Sequence, residues 1–338
     1  MSDSLLSVKG LKTYFYTASG VAKAVDGVSF ELKAGEVLGI VGESGSGKSV
    51  TSNSIIRLLP PRTGRIAEGS IEFEGRDILA MSKRELIKFR GSEIATLFQD
   101  PMTSLDPVFK IGDQMVEMIC AHQKISKKDA WTMAVDALYR VGIPEPEKRM
   151  DAYPYELSGG MCQRVIIAMA VCCKPKFIIA DEPTTALDVT VQAQVLELLQ
   201  DLQKEMNTSI LLITHNLGVV WQMCDKVMVM YAGNTVETAT TKELYANPLH
   251  PYTWGLLDSI PRISDNSGGE LRTIPGTPPD LRLTGSCCNF YNRCPYCTEE
   301  CTRSVPPLKE VEPGHFVACH RQNGINKLTR GEVENHES

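Results

Sequence analysis

The stretch Gly42-Glu-Ser-Gly-Ser-Gly-Lys-Ser49 fits the phosphate-binding loop pattern G-x-x-x-x-G-K-[ST]. The apolar run Val37-Leu-Gly-Ile-Val41 precedes it and is typical of a buried strand. Lys48 to Leu59 contains no Gly or Pro, which predicts a helix. A strand, a glycine-rich turn and a helix N-terminus present backbone N–H groups and the positive end of a helix dipole to an anion. The alternative, a glycine-rich turn that binds no ligand, is disfavoured by the complete pattern in this context.

Different residues of this loop are expected to contact different parts of a bound nucleotide. Glycines let the backbone approach phosphate groups without a Cβ in the way. Lys48 is expected to reach the terminal phosphates, and the Ser49 hydroxyl is expected to bind Mg²⁺. The predicted ATP contacts in this segment are Gly42, Ser44, Gly45, Ser46, Gly47, Lys48, Ser49 and Val50.

Composition limits the class of protein. The chain has 338 residues, of which 43% are apolar, and a formal net charge of −6. These values allow a large α/β domain with an appendage and argue against a surface that wraps nucleic acid. The chain contains no run of about 18 apolar residues, the length that a membrane-spanning helix needs. Its start, Met1-Ser-Asp-Ser4, lacks the features of a signal peptide, so we expect a protein of the cytosol.

The order of the predicted elements indicates an α/β fold. Alternating apolar and polar positions in residues 5–41 predict an antiparallel β-layer, and later segments alternate between buried strands and helices. Apolar positions from Asp129 to Val141 follow one helical stripe, which predicts an all-helical insertion at about 106–156. The expected divisions are an ATPase domain over 1–246, a cysteine-rich C-terminal extension over 247–322 and a disordered tail over 323–338.

Polar residues directly follow three of the predicted strands. Asp181 and Glu182 come after Phe177-Ile-Ile-Ala180, while Gln99 and His215 each follow another apolar run. Ligands of open α/β sheets bind at the carboxyl ends of strands, so these residues are expected to converge on the nucleotide. Asp181 is a candidate Mg²⁺ ligand, and Glu182 can polarise the attacking water. Gln99 can contact both the Mg²⁺ ion and that water. His215 can hydrogen-bond the terminal phosphate; a lone histidine there is most often structural, but its neighbours favour a catalytic role.

In this combination the chain resembles the ATP-binding subunits of ABC transporters. Leu157-Ser-Gly-Gly-Met161 is similar to the family signature sequence, Ala186-Leu-Asp188 resembles its D-loop, and Gln99 stands at its Q-loop position. The resemblance covers residues 5 to about 240. It implies a P-loop ATPase fold with a mixed sheet core, an antiparallel β-layer and a helical subdomain. It also implies that Ser158-Gly159-Gly160 bind the terminal phosphate of ATP held by a second ATPase subunit.

Tyr14, Phe15 and Tyr16 stand in a row within the predicted β-layer. Packing within the sheet is one interpretation of each, and a plate on which a purine stacks is the other. Phe15 falls where the resembled family places its adenine-stacking aromatic residue, nine residues before Ala24-Val25. The resemblance therefore assigns Phe15 to ATP.

Two later segments narrow the resemblance to the dipeptide and oligopeptide importer branch, and to its first ATPase subunit type. They are Leu249-His-Pro-Tyr-Thr253 with the following Leu256-Leu-Asp-Ser-Ile-Pro261, and the motif that begins Cys288-x-Phe290-x-x-Arg293-Cys294-Pro. This implies a second, different ATPase subunit, two integral-membrane permeases and, indirectly, an extracytoplasmic solute-binding protein. Cys162 and Asn216 depart from the family pattern without removing a catalytic group, although Asn216 could weaken a contact across the dimer.

Six of the eleven cysteines lie between Cys287 and Cys319. The resemblance implies that a [4Fe–4S] cluster is held by Cys288, Cys294, Cys301 and Cys319. Four thiolates in a segment poor in apolar residues also suggest a metal that substitutes for a missing core. Zn²⁺ is the alternative metal because it too accepts four sulfur ligands. Unligated thiols in a flexible tail are the third interpretation.

The expected function is that of a peripheral ATPase on the cytoplasmic face of the inner membrane that drives peptide import. Nickel, glutathione or another small solute are alternative cargoes, because the permeases and the binding protein select the cargo. A soluble ABC ATPase acting on DNA or ribosomes is the other alternative. Such proteins usually carry two ATPase cassettes or a long coiled-coil insertion, and this acidic chain shows neither pattern. No nucleic-acid partner is therefore expected.

Overall fold

The computed structural model describes residues 4–185, 187–260, 273–322 and 328–330. The chain divides into two compact units. The first is built mainly from Leu32–Val37 and Ala80–Ile213, and the second from Leu6–Glu31, Leu38–Leu79 and the chain after Ile213. Among the described helices, none has the length and apolar character that crossing a membrane requires.

The elements follow one another in a mixed α/β order. The strands are β1 (Ser4–Thr17), β2 (Gly20–Lys33), β3 (Val37–Val41), β4 (Gly64–Phe73), β5 (Arg76–Asp77), β6 (Ile94–Leu97), β7 (Phe177–Asp181), β8 (Ser209–Ile213), β9 (Lys226–Tyr231), β10 (Asn234–Thr240), β11 (Lys309–Glu312) and β12 (His315–Val317). The helices are α1 (Lys48–Ile55), α2 (Lys83–Ser92), α3 (Pro101–Ser104), α4 (Ile111–His122), α5 (Lys127–Arg140), α6 (Pro146–Arg149), α7 (Gly159–Cys172), α8 (Val189–Met206), α9 (Leu217–Met223), α10 (Thr241–Ala246), α11 (Pro251–Asp258) and α12 (Glu299–Arg303).

The second unit contains an antiparallel sheet with the strand order β2-β1-β4-β5. On β1 and β4, Leu6 lies opposite Phe73 and Val8 opposite Ile71, and all four side chains are fully buried. The alternation of buried and exposed positions that the sequence shows in residues 5–41 therefore places one apolar face of this layer in a core.

The same unit contains mixed strand pairing around the phosphate-loop strand. β3 pairs in parallel with β9, and β9 pairs antiparallel with β10. β12 pairs antiparallel with β10, and β11 pairs antiparallel with β12. Both β11 and β12 belong to the cysteine-rich part of the chain. The sequence predicts no strand in that part, whereas the structure joins it to the sheet through Glu237 opposite Val317 and Thr238 opposite Phe316.

The first unit contains the parallel strands β6, β7 and β8, with Ile94 opposite Phe177 and Phe177 opposite Ser209. Every residue of β8 is buried, as expected for a parallel strand covered on both faces. Residues 106–156 contain helices and turns, and α5 buries one stripe formed by Ala130, Ala134, Ala137 and Leu138.

One helix boundary differs from the sequence-based expectation. Helix α1 ends at Ile55 rather than near Leu59, because Arg57 adopts a left-handed backbone conformation with φ of 51°. No boundary of the two compact units falls at residue 246. The division of the chain into an ATPase domain and a separate C-terminal extension therefore stays a prediction. Ala186, Pro261 and most of the tail over 323–338 lie outside the described residues.

Candidate nucleotide-binding site

The loop between β3 and α1 depends on glycine at two positions. Gly42 and Gly47 have φ of 152° and 104°, values that residues with a side chain rarely adopt. A Cβ at Gly42 would lie 2.2 Å from the carbonyl oxygen of Met230, and one at Gly47 would lie 2.3 Å from that of Ala24. β9 and β2 therefore hold the loop so closely that only glycine fits at these two positions.

The loop folds back on itself around Lys48. Its Nζ donates to the carbonyl oxygens of Gly42 at 2.7 Å and Glu43 at 3.0 Å. The Ser46 N–H donates to the Glu43 carbonyl oxygen at 3.2 Å, and the Ser46 hydroxyl is buried without a hydrogen-bond partner among the described residues. The predicted lysine therefore lies inside the loop, at the start of α1, where an ammonium group can meet phosphate oxygens.

The remaining contacts predicted for this segment lie at its surface. Ser44, Gly45 and Ser49 are exposed, and Val50 is half-buried. A Cβ at Gly45 would meet no atom within 4 Å, so the space beside this residue is open. These residues line the part of the loop that a phosphate group can approach.

His215 lies in the same unit as the phosphate loop. The N–H of the preceding Thr214 donates to Ile40 of β3 at 3.2 Å, which places His215 beside the strand that leads into the loop. The His215 side chain is exposed. Asn216 caps α9, since its Oδ1 accepts from the N–H of Gly218 at 2.9 Å. The departure from the family pattern at Asn216 therefore has a local structural role.

Phe15 is half-buried on β1, and its ring lies against the adjacent strand. It lies opposite Gly64 on β4, where a Cβ would come within 3.1 Å of its ring. Tyr14 donates its hydroxyl proton to Asp26 at 2.7 Å, and the Arg65 guanidinium lies 5.6 Å from the Tyr16 ring centroid. Packing within the sheet therefore accounts for part of the Phe15 surface.

In the first unit, the structure brings two predicted catalytic residues into direct contact. Gln99 Nε2 donates to Glu182 Oε2 at 2.9 Å, and the Thr185 hydroxyl donates to the same oxygen at 2.8 Å. Glu182 follows Asp181 at the end of β7 and has a left-handed backbone conformation with φ of 48°. Its N–H donates to Ile213 at the end of β8, so the strand ends fix the backbone that carries this carboxylate.

The signature segment forms the start of α7. Ser158 is the N-cap, and its hydroxyl accepts from the Met161 N–H at 3.3 Å. Gly159 has open space around its Cβ position, whereas a Cβ at Gly160 would lie 2.8 Å from Val191 of α8. Gly160 therefore permits close packing of two helices, and Ser158 and Gly159 are exposed at the helix N-terminus.

Glu43, the second residue of the phosphate loop, makes contacts that the sequence does not predict. Glu43 contacts Tyr252 of α11 and Arg293 of the cysteine-rich region. Tyr252 and Arg293 belong to the two later segments on which the branch resemblance rests. Their motifs were visible in the sequence, but nothing in the spacing pointed to Glu43.

The iron–sulfur prediction is not supported by the structure. Within the ranges that the structure covers, no group of three or more His, Cys, Asp or Glu side chains is placed to hold a metal ion. Cys288, Cys294, Cys301 and Cys319 are nevertheless electrostatic neighbours of one another. Burial raises the pKa of Cys288 and Cys294 to about 12 and that of Cys319 to about 11.

Comparison with known proteins agrees with this geometry. Residues 25–185 match the ABC transporter family. The oligopeptide transport ATP-binding protein OppD of Bacillus subtilis is 52% identical to this chain over 93% of it and 87% of the relative. This chain belongs to the ABC transporter family. Residues 236–301 also match the C-terminal region of oligopeptide and dipeptide transporters.

Further relatives of this ABC protein agree with the family assignment. The dipeptide transport ATP-binding protein DppD of Bacillus subtilis is 48% identical over 95% of this chain and 96% of the relative. Among solved structures, the dimeric post-hydrolysis state of the ATP-binding cassette MJ0796, bound to ADP and Pi, has a TM-score of 0.63 at 25% identity. That similarity covers 70% of this chain and 98% of the other. The chain is accordingly an ATPase of the ABC family, with its P-loop fold.

Proposed function

We propose that this chain is the ATP-hydrolysing subunit of a peptide importer. One observation carries the proposal: a complete phosphate loop and a C-terminal region of the oligopeptide and dipeptide transporter type occur in one chain. Relatives that are about half identical over nearly the full length are peptide-transport ATP-binding proteins. ATP binding and hydrolysis would supply the free energy, and peptide uptake would consume it.

The phosphate loop and α1 are the proposed phosphate-binding elements. Gly42 and Gly47 keep the backbone free of Cβ atoms, so loop N–H groups can face the phosphates. The Lys48 ammonium would exchange its bonds to loop carbonyl oxygens for bonds to phosphate oxygens. The proposed contacts further include Phe15, Ser44, Gly45, Ser46, Ser49 and Val50.

The proposed hydrolytic group is the Glu182 carboxylate. It accepts two hydrogen bonds on Oε2, which orient it, and it can take a proton from the attacking water. Mg²⁺ would neutralise charge on the phosphates, and Ser49, Gln99 and Asp181 carry the oxygen donors that such an ion prefers. His215 would hydrogen-bond the terminal phosphate.

The proposed assembly contains more than this chain. Ser158-Gly159-Gly160 would complete the nucleotide site of a second ATPase subunit, and a similar segment of that subunit would complete the site of this chain. The dimeric state of the MJ0796 cassette supports this arrangement. Two membrane-embedded permeases would carry the peptide, with the two ATPase subunits peripheral on the cytoplasmic face of the membrane, and an extracytoplasmic binding protein would deliver it.

The test is reconstitution of this chain with its second ATPase subunit and permeases in lipid vesicles. We expect ATP hydrolysis to rise when peptide-loaded binding protein is added outside, together with uptake of labelled peptide. Glu182→Gln complexes are the matched control, and they should show neither effect. Uptake of Ni²⁺ or glutathione instead of peptide would contradict the cargo, and hydrolysis that is independent of the permeases and binding protein would contradict the transport role.

The finer proposal for the cysteine-rich region is a [4Fe–4S] cluster, with Zn²⁺ as the alternative. Its support is the donor set: Cys288, Cys294, Cys301 and Cys319 are neighbours, and four thiolates are the ligands of both groups. The test is metal analysis of protein purified without oxygen. About four irons per chain with absorption near 400 nm would support a cluster. One zinc per chain would support the Zn²⁺ alternative instead of the cluster. Metal-free protein would contradict both metal proposals.

A further inference from the structure

All three polar groups of Glu43 are engaged in the structure. Its N–H donates to the Tyr252 hydroxyl at 2.8 Å, and its carbonyl oxygen accepts from Lys48 Nζ at 3.0 Å. Its carboxylate accepts two bonds from Arg293, from Nη1 at 2.5 Å and from Nη2 at 2.9 Å. The residue that begins the turn after Gly42 is thus fixed from two sides by side chains that are more than 200 positions away in the chain.

The Arg293 side chain is buried and is held in place by several contacts. Only 4% of its side-chain surface is exposed, and its Nε donates to the Pro275 carbonyl oxygen at 2.8 Å. Its guanidinium lies 5.7 Å from the ring centroid of Tyr231 and 5.9 Å from that of Phe290. A planar guanidinium with fixed donors and two aromatic neighbours has one orientation, and in that orientation it makes the bidentate bond.

Tyr252 supplies the second fixed point. It is fully buried on α11, and its ring packs against those of Tyr231 and Phe290 at centroid distances of 4.6 Å and 5.4 Å. Tyr252 and Arg293 therefore share the same aromatic neighbours. We call Tyr252, Arg293, Tyr231 and Phe290 the aromatic clamp.

We propose that the aromatic clamp positions the phosphate loop for nucleotide binding, with Arg293 and Tyr252 acting as positioning residues through Glu43. The inference rests on the proposed function, because it takes the loop to be the site of ATP. In this account the C-terminal region, whose motifs distinguish the peptide-transporter branch, acts on the nucleotide site of its own chain.

Electrostatics gives the clamp a second effect. Glu43 stands in a loop that is built to receive phosphate groups, and an unpaired carboxylate there would repel them. Arg293 neutralises this carboxylate and turns it towards the aromatic clamp. Loss of Arg293 should therefore weaken nucleotide binding in two ways. It would free the Glu43 peptide group that contacts Lys48, and it would leave an unpaired negative charge beside the phosphates.

The test compares nucleotide binding and turnover in variants of the full chain. Arg293→Ala should raise the Kd for both ATP and ADP, and the KM for ATP, by about tenfold, the scale of one charge-assisted hydrogen bond. At saturating ATP the kcat should stay within about threefold, because Glu182 and its partners are unchanged. Arg303→Ala is the matched control, since Arg303 is an exposed arginine of α12 whose described partner is Glu299. Arg303→Ala should leave the Kd values, the KM and the kcat unchanged.

A second substitution separates positioning from general destabilisation. Adding Glu43→Gln to Arg293→Ala removes the unpaired charge, so the double variant should regain at least about threefold of the lost affinity. A merely structural role would lower the active fraction and the apparent kcat while leaving Kd unchanged, and that result would overturn the proposal. Unchanged affinity in soluble, folded Arg293→Ala, or no recovery in the double variant, would overturn it too.

Lys48→Ala distinguishes failure of the clamp from failure of the site. If Lys48→Ala loses ATP binding and Arg293→Ala does not, the loop is the nucleotide site and the positioning role is wrong. If Lys48→Ala binds ATP as before, the site assignment itself is overturned, and the positioning role with it. If Arg293→Ala is insoluble, Arg293→Lys serves instead, because one ammonium cannot make the bidentate bond and affinity should still fall about threefold or more.

Discussion

The side-chain amide of Gln99 donates a hydrogen bond to Oε2 of Glu182 at 2.9 Å. One residue follows β6 and the other follows β7, two neighbouring parallel strands whose carboxyl ends meet at one edge of the sheet. The contact joins a group that would position water to a group that would take its proton. Because of this contact, a charge on the side chain at position 99 would change the pKa of the Glu182 carboxylate.

Gln99→Glu should move the pH dependence of ATP hydrolysis to higher pH. A second carboxylate beside Glu182 disfavours ionisation of one member of the pair, so the apparent pKa of the base should rise. A raised pKa means that, as pH decreases, the ionised fraction and hence the rate fall at a higher pH in this variant than in the unsubstituted protein. The measurement is kcat between pH 6 and 9. Gln99→Ala removes the donor without adding charge, and it should lower kcat without this shift; equal profiles for both variants would contradict the contact.

Gly47→Ala should destabilise the protein and abolish ATP binding. A Cβ there would lie 2.3 Å from the Ala24 carbonyl oxygen, and the φ of 104° is unfavourable for alanine. Gly314→Ala is the control, because Gly314 also has positive φ, 76°, but its Cβ would meet no atom within 4 Å. Gly314→Ala should cost about 1–2 kcal/mol of backbone strain, and Gly47→Ala at least about 2 kcal/mol more. Denaturant unfolding measures both, and equal costs would show that β2 does not confine the loop.

Acidification should destabilise the second unit through His250. Burial lowers the pKa of His250 to about 4, while the nearby Glu237 and the Ala318 backbone oppose this shift. The unfolded chain, with a pKa near 6.5, binds the proton first as pH falls. The contribution of His250 is therefore complete above about pH 6.5 and is lost as pH falls towards 4, on the order of 3 kcal/mol in total.

His250→Asn tests this expectation. Asparagine keeps an acceptor for the Tyr252 N–H, which His250 Nδ1 contacts at 3.0 Å, but it does not titrate. The free energy of unfolding of His250→Asn should fall less steeply between pH 6.5 and 4 than that of the unsubstituted protein. Parallel curves would mean that other groups cause the acid sensitivity.

Local patterns in the sequence predicted the parts of the structure that local chemistry determines. The loop from Gly42 to Ser49 is recognisable because its glycines, lysine and flanking strand lie within a dozen residues. The buried stripe of α5 follows from spacing and side-chain type in the same way. Gln99 and Glu182 were expected at strand ends, and parallel pairing of β6 and β7 brings them together.

Contacts between distant segments were not predictable in this way. β12 has three residues and pairs with β10 across the cysteine-rich region, so its own sequence carries too little periodicity to identify it as a strand. Glu43 and Arg293 are 250 positions apart, and no spacing rule links them. The four predicted metal ligands are electrostatic neighbours, but within the described residues no group of three or more His, Cys, Asp or Glu side chains is placed to hold a metal ion, and the cysteine count alone could not predict this.

The most direct test of the proposed site is Glu182→Gln, measured as ATP binding and phosphate release on the same preparation of this chain with its second ATPase subunit. Glutamine keeps an oxygen to accept bonds from Gln99 and Thr185 but cannot take a proton from water. We predict an unchanged Kd for ATP and a fall in turnover of at least about 100-fold. Undiminished phosphate release would contradict the role of Glu182 and, with it, the account of hydrolysis given for this chain.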